Sequence, residues 1–123
     1  MVVSAITTIL VLRGIYRAYF GPPVITIIND SPYEVSEVVL QGDPFVKIVG
    51  RITIGARKTI VVHPLGESGL KMQFVANGRR VAKDDLVYIE SSGGYCVTLR
   101  IDEQLEIRPV ADGLFCFAVQ RVV

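Results

Sequence analysis

Leu70-Lys71-Met72-Gln73-Phe74 decides the fold class. Leu, Met and Phe point one way and Lys and Gln the other, the period-two signature of a strand with one buried face. Asn77-Gly78 follows, and both residues tolerate the positive φ of a two-residue type I′ hairpin turn. Arg79-Arg80-Val81-Ala82-Lys83 then returns as a polar edge strand whose charges discourage edge-to-edge pairing.

The same period extends outward in both directions from this hairpin. Val24 to Ile28 reads as a strand closed by the turn cluster Asn29-Asp30-Ser31-Pro32. Glu37 to Gln41 is the next, ended by Gly42-Asp43-Pro44. Val46 to Ile54 holds a third, with Gly50 as a bulge or bend, and Lys58 to His63 a fourth, closed by Pro64. Downstream, Leu86 to Glu90 is followed by the turn Ser91 to Gly94. Tyr95, Val97, Leu99 and Ile101 then share one face, with Cys96, Thr98, Arg100 and Asp102 on the other. A short strand around Leu105-Glu106-Ile107 is followed, after Asp112-Gly113, by a terminal strand with Phe115, Phe117 and Val119 alternating. No stretch past Pro23 carries a helical stripe. Short Val/Ile-rich strands at this spacing predict an all-β fold, an antiparallel β-sandwich of seven to nine strands spanning residues 24–123.

Residues 1–20 are of a different kind. Nothing before Arg13 is charged, and Tyr16, Arg17, Tyr19 and Phe20 precede the stiff linker Gly21-Pro22-Pro23 (residues 21–23). The segment lacks the leading positive charge and small-x-small site of a secretory signal. As a surface-lying helix it would set Arg13 and Arg17 nearly opposite Ser4, Thr7 and Thr8. It reads best as a short apolar helix that anchors the chain in a membrane. Twelve residues rise only about 18 Å against a hydrocarbon core of about 30 Å. Snorkelling arginines and an aromatic belt soften that shortfall. Those arginines lie on the domain side, which by the positive-inside rule favours a cytoplasmic domain.

The 123 residues are half hydrophobic and 20% charged, which excludes intrinsic disorder. A net charge of +1 supplies no bulk attraction for nucleic acid. The grouping of Arg57, Lys58, Lys71, Arg79, Arg80 and Lys83 lacks interleaved aromatics and reads as a solvated face.

Chemistry-bearing patterns are sparse. Gly66-Glu67-Ser68-Gly69 lacks the G-x-S-x-G spacing of a nucleophile elbow, so Ser68 reads as a loop residue that caps backbone amides. His63 is the sole histidine and, without a second N/S ligand, reads as a strand-end residue. Asp84-Asp85 and Asp102-Glu103 read as solvated turns, the former neutralising Arg79, Arg80 and Lys83 across the hairpin. Cys96 and Cys116 read first as strand cysteines that never meet. A disulfide between them is the second reading, closing a loop worth about 3 kcal/mol. No catalytic residue, cofactor or metal is expected.

Residues 24 to about 102 resemble a family. The resemblance rests on Val24-Ile25-Thr26-Ile27-Ile28-Asn29-Asp30-Ser31, Leu40-Gln41-Gly42, Gly50-Arg51-Ile52, and Gly55 with the strand to His63-Pro64. Gly66 to Phe74 and Gly93 to Asp102 complete it. In this order they resemble uncharacterised small bacterial single-pass membrane proteins with one extracytoplasmic Ig-like β-sandwich domain. The likeness implies a non-enzymatic, membrane-tethered module of the bacterial envelope, structural or protein-binding through a sheet edge or end loops, with the domain periplasmic. This chain departs in its shorter apolar segment and its longer C-terminus. The alternative is a soluble accessory subunit whose apolar termini pack on a partner chain.

Overall fold

The computed structural model describes residues 7–12, 22–91 and 96–113, the last four by backbone alone. Ten strands follow in order: β1 (Val24–Asn29), β2 (Val35–Gln41), β3 (Val46–Ile52), β4 (Arg57–Val61), β5 (Glu67–Gly69), β6 (Lys71–Ala76), β7 (Arg79–Lys83), β8 (Tyr88–Glu90), β9 (Cys96–Ile101) and β10 (Ile107–Gly113). Residues 7–12 are helical, and Ile9 to Leu12 are all more than half exposed.

One four-stranded sheet has the order β10-β9-β1-β4 and the other β3-β2-β6-β7. The two stack so that β1, β9, β2 and β6 supply a common core. Ile25, Ile27, Val97, Leu99 and Ile101 from one sheet meet Val35, Leu40, Met72 and Phe74 from the other, all buried. All neighbouring pairs are antiparallel except β1 and β9, which run parallel from Val24↔Cys96 to Asn29↔Ile101. A parallel pair needs a long crossover, and here everything between β1 and β9 makes it.

The 70–83 hairpin forms as its pattern dictates. Leu70, Met72 and Phe74 are buried, Asn77 and Gly78 take φ of 51° and 71°, and Ala76 faces Arg79 across the turn. Gly50 adopts a φ of 89° where the β2–β3 register slips, so it is a bulge residue.

Four expectations need correction. The strands number ten among the described residues, and the unexpected β5 pairs with β8, the shortened form of the strand expected over Leu86 to Glu90, as a separate small sheet. The Gly66–Gly69 loop is therefore partly strand. The short strand expected around Leu105-Glu106-Ile107 is longer and starts later: β10 runs from Ile107 through Pro109 to Gly113. Proline survives there because β10 is an edge strand and its register shifts between Pro109 and Ala111. Leu105 belongs to the preceding turn, with a φ of 63°. The strand expected over Phe115, Phe117 and Val119 lies outside the described residues, as do Tyr95 and most of the 1–20 segment. Among the described residues no helix is long and apolar enough to cross a membrane.

Candidate functional site

Strand directions sort the loops into two ends. The chain enters at Pro22-Pro23, where the Pro23 carbonyl accepts the Val62 amide at 3.2 Å. The turns at 42–45, 62–66 and 84–87 lie at this entry end, capped by β5 and β8. The turns at 30–34, 53–56 and 102–106 lie at the far end.

An open cleft of about 450 Å³ occupies the entry end, lined by Gln41 to Asp43, Ser68 to Lys71, and Asp84-Asp85. Ser68 is buried; its hydroxyl accepts the Asp43 amide at 2.8 Å and donates to the Gly69 carbonyl at 2.8 Å. Gly42 is required here, since a Cβ on it would collide with the Phe45 ring and the Ser68 hydroxyl. Ser68 thus ties two loops together, the capping role its sequence context suggests. His63 is not among the residues lining the cleft. The Lys71 ammonium lies 3.7 Å from the Asp84 carboxylate. Arg80 pairs at 3.5 Å with Glu37, so it is not neutralised by the aspartate pair across its own hairpin. Among the described residues no group of three or more His, Cys, Asp or Glu side chains is arranged to hold a metal ion.

Cys96 is disulfide-bonded, which corrects the first reading of unpaired cysteines; the other cysteine, Cys116, lies outside the described residues. With its sulfur in a disulfide, Cys96 offers no thiolate for nucleophilic chemistry. Tyr88 on β8 is largely exposed and donates to Glu67 at 3.1 Å. That hydrogen bond and the adjacent carboxylate charge raise the phenol's pKa.

The far end holds two polar clasps. Asn29 is fully buried, and its amide nitrogen donates to the carbonyls of Tyr33 (2.8 Å), Ile52 (3.1 Å) and Thr53 (3.3 Å). Its amide oxygen accepts the Ser31 amide and lies 2.6 Å from the Ser31 hydroxyl. Asp102 accepts the amides of Gln104 and Glu106, each at 2.9 Å, and the Arg108 guanidinium at 2.6 Å. Partial burial pushes the Asp102 carboxyl up, but the Glu106 amide, the Arg108 guanidinium and the Gln104 amide outweigh it and hold it below the usual range.

The most exposed apolar side chains among the described residues are Ile48 and Leu65. Edge strand β3 presents Val46 and Ile48 outward, Ile48 being 81% exposed. At the entry end Leu65 is equally bare, at 81%. Sequence reading singled out neither, because exposure of a lone Ile or Leu depends on strand order and loop path.

In three comparisons with known proteins, no family model, curated protein or solved structure matches this chain.

Proposed function

We propose that the chain is a non-enzymatic module of the bacterial envelope: an Ig-like β-sandwich tethered to a membrane by residues 1–20 and serving a structural or protein-binding role. The observation that carries this reading is the exposed apolar helical stretch Ile9 to Leu12, none of whose side chains belongs to the core that runs from Ile25 to Ile107. An uncharged helical face that the domain does not cover is the kind of surface lipid accepts. The facing four-stranded sheets, with hairpins β2–β3, β6–β7 and β9–β10, support the Ig-like assignment.

The Cys96 disulfide supports an extracytoplasmic domain, since cytosolic thiols are kept reduced. Arg13 and Arg17 pull the other way, but two charges bias an orientation whereas a reducing compartment opposes the bond itself. For a protein partner, β3 offers an edge whose outer face carries Val46 and Ile48, with Lys47 on its inner side and Lys58 of β4 bonded to the Val49 carbonyl. An extended acidic segment suits that edge better than a second copy, which would bring the same lysines with it.

Carbonate washing of membranes from cells making the full chain tests the tether. Retention in the washed pellet is the expected result. Recovery of the intact chain wholly in the soluble fraction contradicts it and favours a soluble subunit that packs its termini on a partner.

A further inference from the structure

We infer that the entry end of the sandwich rests on the membrane, with Leu65 dipping into a neutral lipid surface and Tyr88 at headgroup level. The inference builds on the tethered reading above and adds a fixed orientation to it. The linker leaves the domain at Pro23, whose carbonyl holds the Val62 amide, and Leu65 lies three residues further along that same loop. Gly21-Pro22-Pro23 is too short and stiff to swing this end far from the point where the chain enters lipid.

Among the described residues nothing covers Leu65, although its neighbours Val62 and Pro64 are buried and hold the loop in place. The loop is tied a second time, by the Ser91 amide donating to the Gly66 carbonyl at 2.9 Å. Tyr88, on the small sheet that caps this end, is 64% exposed, with its hydroxyl anchored on Glu67. A bare leucine two residues from the glutamate that holds an exposed tyrosine suits a membrane interface, which takes an apolar chain inward and a phenol at the headgroups.

Charge selects the lipid. Among the described residues the entry end carries Asp43, Glu67, Asp84, Asp85 and Glu90 against Lys47, Lys71 and Lys83, so an anionic surface attracts it less than a zwitterionic one.

The chain has no tryptophan, so Leu65→Trp supplies a single fluorophore at the entry end. Ile54→Trp does the same at the far end, where Ile54 is 62% exposed and the adjoining Gly55 amide binds the Asn29 carbonyl. The two sites are separated by the length of β1, about 17 Å. Full-length L65W and I54W are reconstituted into phosphatidylcholine vesicles with or without bromine on the acyl chains, and floated to verify association. The expected result is blue-shifted emission for L65W, quenched about twofold by bromine, with I54W unaffected and the L65W quenching weakened by added phosphatidylglycerol. In the unsubstituted chain, amide exchange in residues 62–66 slows on vesicles while that in residues 53–55 does not.

Chain that floats with the vesicles but leaves L65W as unquenched as I54W overturns the orientation and leaves the tether standing. Chain that fails to float overturns both. Stronger quenching of L65W with phosphatidylglycerol overturns the choice of a neutral surface.

Discussion

Asn29 holds three carbonyls and one amide, from the turns at 30–34 and 53–56 and the end of β3, all with one side chain. Removing it takes a partner from the buried Ile52 carbonyl and Ser31 amide and from two half-buried carbonyls, and each unsatisfied buried polar group costs about 1–3 kcal/mol. Asn29→Ala is therefore expected to destabilise the domain by about 3 kcal/mol, read as a lowered urea midpoint at unchanged slope. Asp102 makes a pH-dependent contribution. Its folded pKa is lowered, so its stabilisation is complete above the unfolded aspartate value of about 3.9 and is lost as pH falls through the folded value. Asp102→Asn should cost about 1–2 kcal/mol at pH 7, and the gap to the parent should narrow at pH 3, measured by urea unfolding at both. Sequence alone puts Asn29 in a turn cluster and Asp102 on the polar face of a strand, whereas β9 ends one residue earlier, at Ile101. The Asn29-Asp30-Ser31 spacing does carry a local signal, since an Asn side chain can accept the amide two residues on. Its contacts to Ile52 and Thr53 depend on tertiary placement.

At the scale of strands, alternation reveals which face is buried but not which strand lies at an edge. Lys47 pairs with buried Leu40, Lys58 with buried Ile27 and Lys83 with buried Met72, so each lysine starts from the core-facing side of an edge strand. Two of them reach across to the opposite sheet, Lys58 to the Val49 carbonyl at 3.3 Å and Lys83 to the Ile107 carbonyl at 3.2 Å. Inward-pointing charge at an edge deters pairing with another copy. The doubly substituted Lys47→Ile, Lys58→Val chain should stay folded but associate with rising concentration, seen as growing mass by light scattering while the parent's mass is constant. The 70–83 hairpin was legible because a strict period two met a turn that only Asn-Gly satisfies well. Strand β8 falls inside the strand expected over Leu86 to Glu90, whereas β5 was not legible, because three residues of a Gly/Ser-rich segment cannot display a period. The cleft was also hidden, since Gln41 to Asp43, Ser68 to Lys71 and Asp84-Asp85 meet only once the sheets are stacked.

For the molecule as a whole, the proposed function treats residues 1–20 as a tether apart from the sandwich. The disulfide at Cys96 implies that the denatured, unreduced chain shows no titratable thiol; two free thiols per chain would place the domain on the reducing side. The core of Ile25, Ile27, Leu40, Met72, Phe74, Val97 and Leu99 includes none of the described residues before Pro23. Deleting residues 1–20 should accordingly leave the sandwich intact. Density-gradient flotation of the full chain and the shortened chain with phosphatidylcholine vesicles, followed by thermal unfolding of the shortened one, tests this most directly. The account predicts that the full chain floats, while the shortened chain stays at the bottom with its β-sheet circular dichroism and cooperative melt unchanged. A full chain that stays down, or a shortened chain that has lost its fold, would contradict it.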